Sequence, residues 1–182
     1  YTDLVERVKA AEAGHAPGLS GLAEAVARYA YKLMAYKDEY EVARLHSNGS
    51  FLRKIRETFD GDYKIRFHMA PPLLASRDPE TGHLQKRSYG AYMITVFKLM
   101  ARLKGLRGTP FDIFGYTAER RAERQLIADY FATVDELLNG HDHDSHALAA
   151  QIAEIPEHIR GFGHIKEQQI NDAKAREADL LD

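Results

Sequence analysis

Apolar residues recur at alternating steps of four and three through Leu22, Val26, Tyr29, Leu33, Tyr36 and Tyr40, which traces one face of an α-helix. The same period returns in Leu126, Ile127, Tyr130, Phe131, Val134 and Leu138, and more briefly in Leu4, Val5, Val8 and Ala11. Such stripes are buried by packing helix on helix. Period-two alternation is confined to Tyr63, Ile65, Phe67 and Met69, set between Lys64, Arg66 and His68. The pattern predicts a mainly α, multi-helix domain with one short β-strand or hairpin excursion around residues 63–87.

Breakers set the expected boundaries. A first helix from about Thr2 to Ala13 stops at Gly14 and the Pro17-Gly18 pair, which makes residues 1–18 a helical arm or linker. Residues 19–182 are then a single α-rich domain. Its first helix runs on to about Ser47, where Asn48-Gly49 stops it, and Ser50 caps a short helix through Phe59 that buries Phe51, Leu52, Ile55 and Phe59. The strand at 63–69 needs a partner, either a return strand near His83 to Arg87 or a part of a larger protein. Asp78 to Gly82 reads as the exposed tip between them. Tyr89 to Leu103 is apolar on more than one face and is expected to be a central, largely buried helix. Thr117 caps the helix that carries Leu126 to Leu138, Asp144 or Ser145 caps another that ends at Pro156, and a mostly polar helix fills 165–181.

Composition narrows the chemistry. With no cysteine, the chain has no disulfide, thiolate metal site, cysteine nucleophile or cluster ligand of its own. A net charge of −2 gives no global pull toward nucleic acid or an anionic membrane, and no apolar run approaches the roughly 18 residues that span a bilayer. A cytoplasmic setting is the expectation. Because it opens at Tyr1 directly on an amphipathic run, the sequence reads as a piece of a longer polypeptide.

Candidate chemistry is sparse. His141, His143 and His146 with Asp142 and Asp144 resemble a metal cluster in composition, but alternating loop residues need not converge, so a solvated loop is expected and no metal ligand is assigned. Glu119 and Glu123 lie one helical turn apart, as do Arg120 and Arg124, which reads as interleaved surface ion pairs. No nucleophile motif is present, so no catalytic residue is assigned. Two glycine-bounded joints remain. One, from Leu106 to Tyr116, sets Arg107 and Asp112 among aromatics and leads into Arg120 and Arg121; Asp112 is expected to pair with Arg107, Arg120 or Arg160. The other, Arg160 to Lys166, sets Gly161 and Gly163 before a helix but follows no buried strand, so it reads first as a tight helix–helix joint; the alternative is an anion site of backbone N–H groups with Lys166 beside them. The candidate binding residues are thus Arg107, Asp112, Tyr116, Arg120, Arg121, Arg160, His164 and Lys166.

Four stretches, Lys32 to Leu45, Gly61 to Leu74, Leu106 to Arg124 and Ile155 to Lys166, together resemble the C-terminal region of the large fused indolepyruvate ferredoxin oxidoreductases. That resemblance implies a multidomain parent that oxidatively decarboxylates aryl 2-oxoacids to acyl-coenzyme A and passes electrons to ferredoxin. Thiamine diphosphate, magnesium and iron–sulfur clusters are implied for other domains of the parent, and none for this segment. The implied partners are those domains, a second copy of the parent, and ferredoxin. On this reading the segment is non-catalytic and architectural; the alternative is a module that binds a coenzyme A phosphate or docks ferredoxin through the arginine-rich joints.

Overall fold

The computed structural model describes residues 1–70, 85–161 and 163–181. Among them are eight α-helices and a two-stranded antiparallel sheet. The helices are α1 (Thr2–His15), α2 (Leu22–Met34), α3 (Glu39–Ser47), α4 (Gly49–Thr58), α5 (Met93–Arg102), α6 (Ala118–Asn139), α7 (His146–Glu154) and α8 (His164–Leu181). The strands are β1 (Phe67–Met69) and β2 (Arg87–Tyr89), and short 3-10 turns follow α5 and α7. The chain is mainly α with a short hairpin, as its periodicity predicts. None of the described helices is long and apolar enough to cross a membrane.

Backbone contacts divide the chain into two compact units, one formed by Tyr1–Tyr36 with Ala122–Asp182 and the other by Lys37–Arg121. In the first, α2 lays Leu22, Val26, Tyr29 and Leu33 into a core shared with Tyr130 and Val134 of α6 and Ala149 and Ala153 of α7. Each large apolar side chain taken from water there contributes roughly 1.5–3 kcal/mol. Leu4 and Val8 of α1 are buried in the same core, so the residues read as an arm are packed structure. A second cluster, Ile152, Ile155, Ile159 and Ala173, seats α8 beside the turn at Ile155–His158.

The long helix expected from Leu22 to Ser47 is two. After Met34 the chain leaves the helix, and the Asp38 carboxylate accepts from the Glu41 N–H to start α3. Aspartate is a good cap and a poor helix-interior residue, so the break outweighs the continuing apolar stripe. The cap of α4 also shifts, from the expected Ser50 to Asn48, whose Oδ1 accepts from the Phe51 N–H.

The second unit packs α3 on α5 around Ala43, Phe67 and Phe97. His46 stacks on Phe97 with ring centroids 5.4 Å apart, and Phe67 meets Phe97 edge to face at 5.1 Å. β1 pairs with β2 in the register Phe67↔Tyr89, His68↔Ser88 and Met69↔Arg87, so the strand finds its partner within the chain, slightly beyond the expected return segment. The turn assigned to Asp78–Gly82 lies outside the described residues. Two burial expectations fail in this unit. No residue of α4 is buried, and Phe59 just after it is exposed. Within α5 only Phe97 is buried, and the opposite face shows Val96 and Leu99 to solvent. Apolar residues on several faces identify a helix that can be buried, but only its neighbours decide which face is.

Candidate functional site

The first glycine-bounded joint closes on itself. Asp112 is 5% exposed and accepts from the Gly108 N–H at 2.9 Å, the Gly115 N–H at 3.0 Å and the Tyr40 hydroxyl at 3.3 Å. Burial alone would raise this carboxyl, but the two amides and the hydroxyl outweigh it and hold Asp112 below the usual carboxylate range. The same burial and the facing carboxylate push the Tyr40 phenol up. Glycine is required at 115, because a Cβ there would sit 2.6 Å from Asp112 Oδ2. Gly108 turns the chain at φ +74°, which other residues rarely adopt.

Within this unit, neither Arg107 nor Arg120 makes the expected pair with Asp112. Arg107 reaches back to Asp38, its Nη2 2.9 Å from Oδ1, and so ties the joint to the cap of α3. Arg120, predicted on the surface, is buried and faces Glu39, with Nε 3.3 Å from Oε2. Burial raises the Glu39 carboxyl and Arg120 pulls it partly back down. Tyr116 donates its hydroxyl to the Pro110 carbonyl, and Arg121 donates to the carbonyl of Tyr116. An amide-saturated carboxylate, two internal ion pairs and two loop ties account for all five candidate residues of this joint. Such an arrangement locks a loop.

The other candidates belong to the first unit, which contains a cavity of about 220 Å³. Leu33, Leu126 and Ile159 form its apolar wall. Lys32, Arg160 and Lys166 bring three cations to its rim, and Glu123 faces it beside Lys166. Glu123 is 6% exposed, buried by this pairing rather than laid on the helix surface as its spacing from Glu119 suggests. Arg160 spans the turn to the Glu157 carboxylate, and Lys32 donates to the carbonyls of Pro156 and Glu157 at 2.7 and 2.8 Å. The side chain of His164 lies outside what the structure describes. Sequence reasoning found Arg160 and Lys166 but missed Lys32, which lies just off the apolar stripe of α2. One signal was available: a lysine beside that stripe can follow its stem inward and leave the ammonium at the edge of the core.

The histidine-rich loop is not uniformly solvated. Asp142, His143 and Asp144 are exposed, while His141 and His146 are 6% and 4% exposed and touch each other. Among the described residues no three histidine, aspartate or glutamate side chains are placed to hold a metal ion. With no cysteine in its sequence, the chain supplies no thiolate ligand to an iron–sulfur cluster.

Residues 1–179 match the model of a family described as a family of unknown function, DUF6537. The chain belongs to this family. No curated protein and no solved structure matches it. The match covers nearly all of this DUF6537 chain and leaves its role to be argued from the molecule.

Proposed function

We propose that this chain is an architectural, non-catalytic region of a larger cytoplasmic enzyme of the 2-oxoacid:ferredoxin oxidoreductase kind, which docks on other domains of its own polypeptide and supports a homo-oligomeric parent. The observation that carries this reading is the outer face of α5. Tyr92, Val96, Leu99 and Leu103 follow helical spacing, and they are 63%, 38%, 59% and 43% exposed. An apolar stripe left exposed along one side of a helix marks an interaction face. The inward commitment of Arg107, Asp112 and Arg120 supports the same reading, since their charges fix the fold. The reaction, the parent's thiamine diphosphate and clusters, and ferredoxin as electron acceptor rest on the sequence resemblance.

The test is Val96→Asp with Leu99→Asp in the full-length protein. The expected result is looser assembly by size-exclusion chromatography and faster proteolysis between domains, with per-site turnover of the assembled fraction nearly unchanged. Wild-type assembly and protease resistance in the double variant would overturn the docking role.

A further inference from the structure

The cavity of the first unit has no part in that docking reading. Its charges do not cancel locally. Lys166 is matched by Glu123 and Arg160 by Glu157, whereas the ammonium of Lys32 contacts two neutral carbonyls. An ammonium carries three N–H donors, and two of these are used. Among the described side chains that line the cavity or pair with those that do, three cations face two carboxylates, beside a wall of Leu33, Leu126 and Ile159. Burial, and then the nearby charge of Arg160, lowers the Lys32 ammonium from its ordinary value, with Lys166 adding to the repulsion and Glu157 partly offsetting it. Capping the turn at Ile155–His158 explains where two of the Lys32 hydrogens go. It leaves the third hydrogen of an ammonium that lines an apolar-walled space.

We propose that this cavity binds a small organic anion, its charged head between Lys32 and Arg160 and its apolar body on Leu33, Leu126 and Ile159. The head neutralises the surplus charge and takes the third Lys32 hydrogen, while Lys166 stays engaged with Glu123. Size sets the class. A cavity of about 150 Å³ admits a benzene ring, so 220 Å³ holds one ring or a short aliphatic chain with a single phosphate or carboxylate. A nucleotide is too large to be enclosed. Gly161 adds a geometric condition: it lines the cavity at φ +89°, and a Cβ there would crowd Ile165 and approach the Lys166 amide.

The experiment titrates the chain with phenyl phosphate, phenylacetate and inorganic phosphate at constant ionic strength, following melting temperature and the amide resonances of Gly161 and Lys166. Saturable shifts are expected with phenyl phosphate or phenylacetate, whichever head is preferred, and weaker ones with inorganic phosphate, which lacks the apolar body. Lys32→Gln should weaken binding roughly tenfold or more by removing a charged donor, and Lys32→Arg should restore part of it. Arg160 is largely exposed, so Arg160→Gln should weaken binding without unfolding the protein and keeps the test open if Lys32→Gln is unstable. Linear, unsaturated shifts with both aromatic probes, or unchanged affinity in Arg160→Gln, would overturn the proposal. Inorganic phosphate binding as well as phenyl phosphate would remove the apolar half of the site and with it the assigned ligand class.

Discussion

His141 Nε2 lies 3.1 Å from His146 Nδ1, and this contact ties the tautomers of the two neutral rings together. His146 Nε2 faces the Ser20 carbonyl at 3.3 Å, so it must carry a hydrogen. Its Nδ1 is then an acceptor, His141 Nε2 is the donor, and His141 Nδ1 is left as a buried lone pair with no partner. The charged and titratable groups around the pair are Glu12 and His15 from α1 and Asp142 from the loop. Glu12 Oε1 lies 3.7 Å from His146 Nε2 and also accepts from the Leu22 N–H, while the His15 ring is 6.2 Å from that of His141.

A pH dependence follows. Burial chiefly, and then the neighbouring His146 and His15, lowers the His141 imidazole from its ordinary 6.5, against a smaller opposing pull from Glu12 and Asp142. The unfolded chain therefore binds this proton more readily than the folded one. Stability from the pair is complete above the unfolded value and falls as pH drops from there through the folded value. The melting temperature should decline between pH 7.5 and 5 in the wild type. His141→Gln keeps a donor toward His146 and removes the titration, so its decline should be shallower; parallel curves would show that the pair is not the source.

Asp112 and Gly115 should behave as one unit. Asp112→Asn places an amide where the wild type accepts two backbone N–H groups, and leaving one of them unmet costs about 1–3 kcal/mol. Gly115→Ala drives a Cβ into the same carboxylate. Urea unfolding should show both variants destabilised and their effects less than additive, because each breaks the same contact. Full additivity would mean that the carboxylate does not hold this joint closed.

The Arg107–Asp38 pair predicts an asymmetry. Asp38 is 3% exposed and also caps α3, whereas the Arg107 side chain is 45% exposed. Asp38→Ala therefore loses a cap worth about 1 kcal/mol as well as the pair. Arg107→Ala leaves the carboxylate its Glu41 amide, and removing a half-exposed side chain opens it to solvent, so this loss should be the smaller of the two. Equal losses in thermal unfolding would show that the cap adds nothing.

The elements of this fold were legible where a stripe met a strong stop. Leu126 to Leu138 before Asn139-Gly140 is α6, and the alternation at 63–69 contains β1. The helix break at 35–38 was not legible, because Tyr36 and Tyr40 continue the stripe across it and only the cap geometry of Asp38 shows that the chain has turned. At the first joint, the sequence shows which charged residues are present but not their partners. Asp112 and Arg107 are five residues apart and could meet across a turn, yet Asp38 and Tyr40, distant in sequence, take their place. Lys32 was hidden for a similar reason: one stripe shows which side of α2 is buried, not where the cavity opens beside it.

Neighbouring positions on α5 separate folding from docking most directly. Phe97 is 4% exposed in the cluster with Ala43 and Phe67, so Phe97→Ala should cost about 3–5 kcal/mol through lost contacts and the cavity left behind. Leu99, two residues on, is 59% exposed, and Leu99→Asp should change the unfolding midpoint of the separate chain little. If the stripe is a docking face, the separate chain also lacks its cover and should associate with itself as concentration rises, a tendency that Leu99→Asp relieves and that light scattering can follow. A large stability loss in Leu99→Asp would place this residue in the fold's own core and remove the stripe from the argument for docking.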